Sequence, residues 1–216
     1  MQHNRDGLKA LIFDFDGVLV DSLDIKGAAF VKLFEDYGKE IQRKVLEYHH
    51  THGGVSREEK IKYFYRELLK VPLSNAQLRG LCDRFSSLVV DEVVRAKAIS
   101  GAEEFLKRSV RYLCFVVSAT PQPEMQAILK ARKWDKYFDG VFGSPASKVD
   151  NVRLILEKWG LRPSECIYFG DSESDYNTAN LLKIKSIGIF NKNNPLTKYE
   201  GILLVRDFHD LLRCWE

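Results

Sequence analysis

Six short apolar runs recur along the chain, and they limit its fold more than any other feature: "ALIFDF", "YLCFVVSA", "GVFG", "CIYFGD", "SIGIF" and "ILLV". Most carry few polar residues, which predicts strands buried on both faces, as in a parallel sheet. Helical patterns separate them. "GAEEFLKRSV" precedes the second run and "PEMQAILKARKW" follows it, while "KVDNVRLILEKWG" and "SDYNTANLLK" flank "CIYFGD". Ser100 with Glu103 reads as a capping box at the start of the first of these helices. Strands alternating with helices predict an α/β layered sheet.

Residues 23–95 break that alternation. The segments "LDIKGAAFVKLFEDYG", "EIQRKVLEYHH", "REEKIKYFYRELLK" and "SNAQLRGLCDRFSSLVVDEVVRA" all space their apolar residues as helices do. An all-helical insert is therefore expected between the first strand and the rest of the sheet, with the core made of residues 1–22 and 96–216. A chain of 216 residues with 45% hydrophobic content can bury a core and a smaller attached domain. The net charge of +3 is spread without a basic block, which argues against a nucleic-acid partner. Four cysteines, Cys82, Cys114, Cys166 and Cys214, are widely spaced with no C-x-x-C pair, the usage of a reducing compartment. "MQHNRDG" has no signal pattern, and no apolar run approaches the ~20 residues of a membrane helix. A cytoplasmic protein without a membrane partner is expected.

The chemistry gathers at strand ends. In "LIFDFDGVLVDS", Asp14 and Asp16 are two residues apart on a strand and face one side. They stand near its C-terminal end, where open α/β sheets bind ligands. Two carboxylates this close raise one pKa unless a cation joins them. Asp21 reads equally well as a turn acid, but Asp14 lies inside an apolar run where a lone carboxylate is costly. The second run ends at Ser118, Ala119 and Thr120, before Pro121 and Pro123. Exposed N–H groups at such a helix start suit a phosphate, or the hydroxyls act as plain caps. Lys148 opens another helix, where a cation opposes the macrodipole unless an anion is near. "CIYFGDSESDYNTA" brings Asp171 and Asp175 to one strand end, with oxygen ligands of the kind Mg²⁺ selects. Glu173 between them is expected to face solvent, and Asp175 could equally cap its helix.

Taken in order, Asp14-x-Asp16-Gly17 with Asp21, then Ser118, then Lys148, then Gly170-Asp171-x-x-x-Asp175 resemble the four motifs of the haloacid dehalogenase superfamily. The resemblance implies a Rossmann-like three-layer α/β/α core and makes residues 23–95 similar to that superfamily's type 1 α-helical cap. It implies Asp14 as a nucleophile that forms an aspartyl phosphate and Asp16 as general acid/base. Ser118 and Lys148, with Ala119 beside them, would hold the phosphoryl oxygens. Mg²⁺ would sit on Asp14, the main-chain carbonyl of Asp16 and Asp171, with Asp175 in support. Because Asp16 is present, the dehalogenase and phosphonate-cleaving branches are disfavoured. A small phosphomonoester, such as a sugar phosphate or phosphoglycolate, is the implied partner, bound by a monomer or weak homodimer.

The loop "GGVSREE" resembles the cap loop of β-phosphoglucomutases, which implies that Arg57 grips a phosphate distal to the reacting one. Ser56 with Glu59 is also a capping box, and Arg57 could be surface. Three departures separate the chain from mutases: Lys26 stands where they place a histidine, "KVDN" follows the position of their K-P-x-P, and "GDSESD" replaces E-D-S-x-A-G. A phosphatase is therefore preferred, with a sugar phosphomutase second and a silent binding module third. His49, His50 and His52 offer no i,i+4 pair for zinc. One or two of them, His52 foremost, are expected beside Gly53 and Gly54 on the cap side of the site. The aromatic run Tyr63 to Leu69 reads as cap core.

Overall fold

All six apolar runs become strands of one parallel sheet, in the computed structural model, which describes residues 7–190, 195–199, 201–213 and 215. The strands are β1 (Ala10–Phe13), β2 (Leu113–Pro121), β3 (Gly140–Ser144), β4 (Cys166–Gly170), β5 (Lys185–Ile189) and β6 (Leu203–Val205). Their order is β3-β2-β1-β4-β5-β6, so β1 lies between β2 and β4, with Ile12 opposite Phe115 on one side and Tyr168 on the other. Successive side chains of a strand point to opposite faces. Leu11 and Phe13 accordingly enter one apolar cluster, while Ala10 and Ile12 enter the other. Helices α5 (Ala102–Arg108), α6 (Gln122–Ala131) and α9 (Phe208–Leu212) pack into the first cluster; α7 (Lys148–Lys158) and α8 (Glu173–Leu181) pack into the second. This is the expected α/β/α core.

The block from 23 to 95 is helical throughout its regular elements: α1 (Leu23–Leu33), α2 (Gly38–Thr51), α3 (Arg57–Tyr63), which runs on as a π-helical turn over Phe64–Leu69, and α4 (Asn75–Arg95). Its interior is aromatic. Phe30, Phe34, Phe64 and Phe85 are buried, and Phe64 packs edge-on against both Phe30 and Phe34. Each such ring contributes about 1.5–3 kcal/mol, so the run from Tyr63 to Leu69 is packing material. The chain leaves and rejoins the sheet at one place. The Asp21 N–H donates to the Lys97 carbonyl at 2.9 Å, and the Ile99 N–H to that of Leu19 at 3.0 Å.

One expected cap is absent. Helix α5 starts from Gly101, at φ +77°, and the Ser100 side chain makes no capping bond. The reason is α9: a Cβ at 101 would lie 2.8 Å from the His209 nitrogen, and the Ser100 carbonyl accepts the Phe208 N–H instead. Cys82, Cys114 and Cys166 are free thiols; Cys214 and residues 1–6 of "MQHNRDG" lie outside the described residues. Among the described residues, no helix is long and apolar enough to cross a membrane.

Candidate active site

Asp14 follows the last residue of β1, and its N–H still donates to the Phe169 carbonyl of β4 at 2.9 Å. Asp171 follows the last residue of β4, and Asp175 lies in the first turn of α8. Because β1 and β4 are adjacent and parallel, their ends deliver these acids to one spot. One carboxylate oxygen from each of Asp14, Asp171 and Asp175 lies within 4.8 Å of the others, and all three residues are buried. Lys148, at the start of α7, enters from the next layer. Its Nζ is 3.0 Å from Asp14 and 2.6 Å from Asp175.

Burial and mutual repulsion govern the protons here. Desolvation pushes Asp14 up to about 7 against the pull of Lys148, with Asp175 and Asp16 adding to the rise. Asp171 is raised well above an ordinary aspartate by burial, then by Asp14 and Asp175. Burial alone would lower the Lys148 pKa, but the Asp14 and Asp175 carboxylates raise it. Asp175 is fully engaged. Oδ1 accepts from Lys148 and, at 2.9 Å, from the Tyr168 hydroxyl; Oδ2 accepts from the Ser172 N–H at 3.2 Å and its hydroxyl at 2.5 Å. It therefore caps its helix and anchors Lys148 at once. Glu173 turns away, to Lys198 and Tyr199.

Asp16 points elsewhere. Its carboxylate accepts from the Ser22 hydroxyl at 2.6 Å, the Lys26 ammonium at 2.5 Å and the Thr120 hydroxyl at 3.2 Å. Burial opposes the charge, but Lys26 first, then these hydrogen bonds, hold its pKa below the usual value. The Lys26 ammonium also donates to Thr120 at 2.8 Å. The position that mutases give to histidine is thus a lysine clamped on Asp16.

A cavity of about 360 Å³ opens above these groups, lined by Asp14, Asp16 and Asp171 on the sheet side and by Lys26, Gly53, Gly54, Arg57 and Lys60 from the helical block. Ala119 and Thr120 form part of its wall. Ser118 is buried beside them, its Oγ accepting the Thr120 N–H at 3.1 Å. His52 requires a correction: it is exposed, stacked on Tyr48, and outside the cavity wall, which takes His49 and His50 instead. The turn of α2 carries His49 inward, and His52 is already past the helix end. Arg57 is buried, not surface. Its guanidinium is bound to Glu124 of α6 and to Ser86, over the face of Phe85. Sequence reasoning passed over Tyr168 and Lys60, and gave Lys26 and Thr120 no part as partners of Asp16.

The three carboxylates hold more negative charge than Lys148 cancels, and their donors are all hard oxygens. That set fits a hard dication such as Mg²⁺.

Comparison with known proteins points to one family. A profile of the haloacid dehalogenase-like hydrolases matches residues 11–189. The chain is 29% identical over 192 residues to a phosphorylated carbohydrates phosphatase of Thermotoga maritima, covering 84% of this chain and 82% of that one. It is 25% identical over 217 residues to a phosphoglycolate phosphatase of Mannheimia succiniciproducens, covering 95% and 97%. The crystal structure of a β-phosphoglucomutase from Clostridium difficile superposes with a TM-score of 0.77 at 21% identity, over 96% and 97% of the two chains.

Proposed function

The chain belongs to the haloacid dehalogenase-like hydrolase family, and we propose that it is a Mg²⁺-dependent phosphatase acting on a small phosphomonoester, a sugar phosphate or phosphoglycolate. The observation that carries this reading is the convergence of Asp14, Asp171 and Asp175 around Lys148 at the ends of β1 and β4. The relatives named as phosphatases support it.

In this reading an Asp14 carboxylate oxygen attacks the phosphorus atom, and the ester P–O bond breaks. Asp16 gives its proton to the leaving oxygen. Water then attacks the aspartyl phosphate, Asp16 takes up a proton from it, and phosphate leaves with the Asp14 carboxylate restored. The clamp of Lys26, Ser22 and Thr120 favours the anionic form that this second half needs; the first half requires Asp16 to leave the clamp and carry a proton. Lys148 and the Ser118 hydroxyl would hold the phosphoryl oxygens, with Ala119 forming the adjoining wall. Asp14, Asp171 and the Asp16 carbonyl would hold Mg²⁺, with Asp175 anchoring Lys148 beside it; the ion supplies the positive charge that lets a carboxylate approach a phosphoryl group. Residues 23–95 would act as a cap over the core, excluding bulk water and macromolecules.

The test is phosphate release from a panel of small phosphomonoesters, with Mg²⁺ and with chelator. Metal-dependent release that disappears in Asp14→Asn is expected. Conversion of β-glucose 1-phosphate to glucose 6-phosphate without release would transfer the protein to the mutases. Inactivity toward both would leave a binding module.

A further inference from the structure

Three basic side chains around the cavity are matched by carboxylates: Lys148 by Asp14 and Asp175, Lys26 by Asp16, and Arg57 by Glu124. Lys60 is not. It sits on α3, only 3% exposed, and lines the cavity. Its Nζ lies 3.1 Å from His49 Nδ1 and 3.4 Å from the His49 carbonyl, over the Phe30 ring at 5.7 Å. No carboxylate forms an ion pair with it among the described residues. His49 supplies no charge either. Its Nε2 is 3.0 Å from the Leu23 carbonyl and donates there, which leaves Nδ1 as an acceptor and the ring neutral. Burial, then Lys60, push the His49 pKa down to about 3.

A buried ammonium with neutral acceptors alone is costly, and an anion is what relieves it. We propose that Lys60 is the receptor for a second anionic group on the substrate, a carboxylate or a further phosphate. The class of substrate is then a phosphomonoester with an anionic tail, not a neutral one; this rests on the phosphatase reading above. Arg57 cannot fill this part unaided, because Glu124 already neutralises it. The proton balance agrees. Burial pushes the Lys60 pKa down to about 7, with Lys26 and Lys148 acting the same way and Asp16 and Asp171 opposing. A bound anion favours the ammonium, so binding of an anionic tail takes up a proton near neutral pH.

The experiment is calorimetric binding to the Asp14→Asn protein in Mg²⁺, which avoids turnover. Two matched pairs are compared: 2-phosphoglycolate with 2-hydroxyethyl phosphate, and fructose 1,6-bisphosphate with fructose 6-phosphate. The anionic-tailed member should bind ~10- to 100-fold more tightly, the worth of a charge-assisted hydrogen bond. The pair with the larger ratio tells carboxylate from phosphate. Adding Lys60→Gln should erase both the preference and the proton uptake, and Lys60→Arg should restore part of the preference. Equal binding within both pairs overturns the proposal before any change at 60 is made, as does a preference that survives Lys60→Gln. Turnover of p-nitrophenyl phosphate by the unaltered chain tests the phosphatase reading separately, since that substrate has no anionic tail.

Discussion

Asp14 and Asp171 sit where little water solvates them and where each feels the other's charge. Folding therefore retains protons that an unfolded chain gives up above pH 3.8. Acids raised in this way lend stability that is lost as the pH climbs, here from about 4 through about 7. The chelated protein is expected to melt at progressively lower temperature over that range, and Mg²⁺ should raise its Tm more at pH 8 than at pH 6, by thermal denaturation at each pH. Asp16 differs, since Lys26 favours its charge. Asp16→Asn should slow alkyl phosphates by about 10²–10⁴-fold, the range of general acid catalysis, and aryl phosphates, with their better leaving group, far less. The ratio of the two initial rates checks it. These aspartates were legible in the sequence because a carboxylate in an apolar run has no bland explanation. Lys60 was not. In "REEKIKY" it looks like one more charge on a solvated face, and only its contacts with His49 of α2 and the Phe30 ring of α1 show it buried. His52 misled for the converse reason: three nearby histidines cannot be told apart without knowing where the helix ends.

At the scale of the element, the turn after β1 decides whether the acids meet. Gly17 adopts φ +79°, and a Cβ there would run into the Asp171 carboxylate and lie 2.9 Å from Leu23. Gly38 has a similar φ, +81°, with nothing within 4 Å. Both alanine variants should lose about 1–3 kcal/mol from a positive-φ backbone that a side chain disfavours. Gly17→Ala should in addition lose most of its kcat, whereas Gly38→Ala should keep it; denaturant melts and steady-state rates separate the two effects. Strands and helices were readable because their periodicities are local. The false cap at Ser100 arose because the contact that selects Gly101 comes from α9, more than a hundred residues downstream.

Across the whole molecule, the helical block is latched to the core. Glu124 of α6 receives both Arg57 and Ser86, and Gly53 sits so near the core that a Cβ there would lie 2.7 Å from that of Ser172. Glu124→Ala strands the buried Arg57 charge. It should cost about 3–5 kcal/mol in urea unfolding and raise KM by loosening the cap. None of this seam could be read from the sequence, since its two sides pair across 67 residues. The place of β1 in the sheet bears on biosynthesis. The strand that leads to Asp14 is made before both of its neighbours, where Phe115 and Tyr168 lie opposite Ile12. At ribosomal rates of about 5–20 residues per second, Ile12 waits on the order of 10–30 s for Tyr168. Through that interval an apolar strand is exposed with one or both edges unpaired, so the nascent chain is the form of this protein with most need of a chaperone.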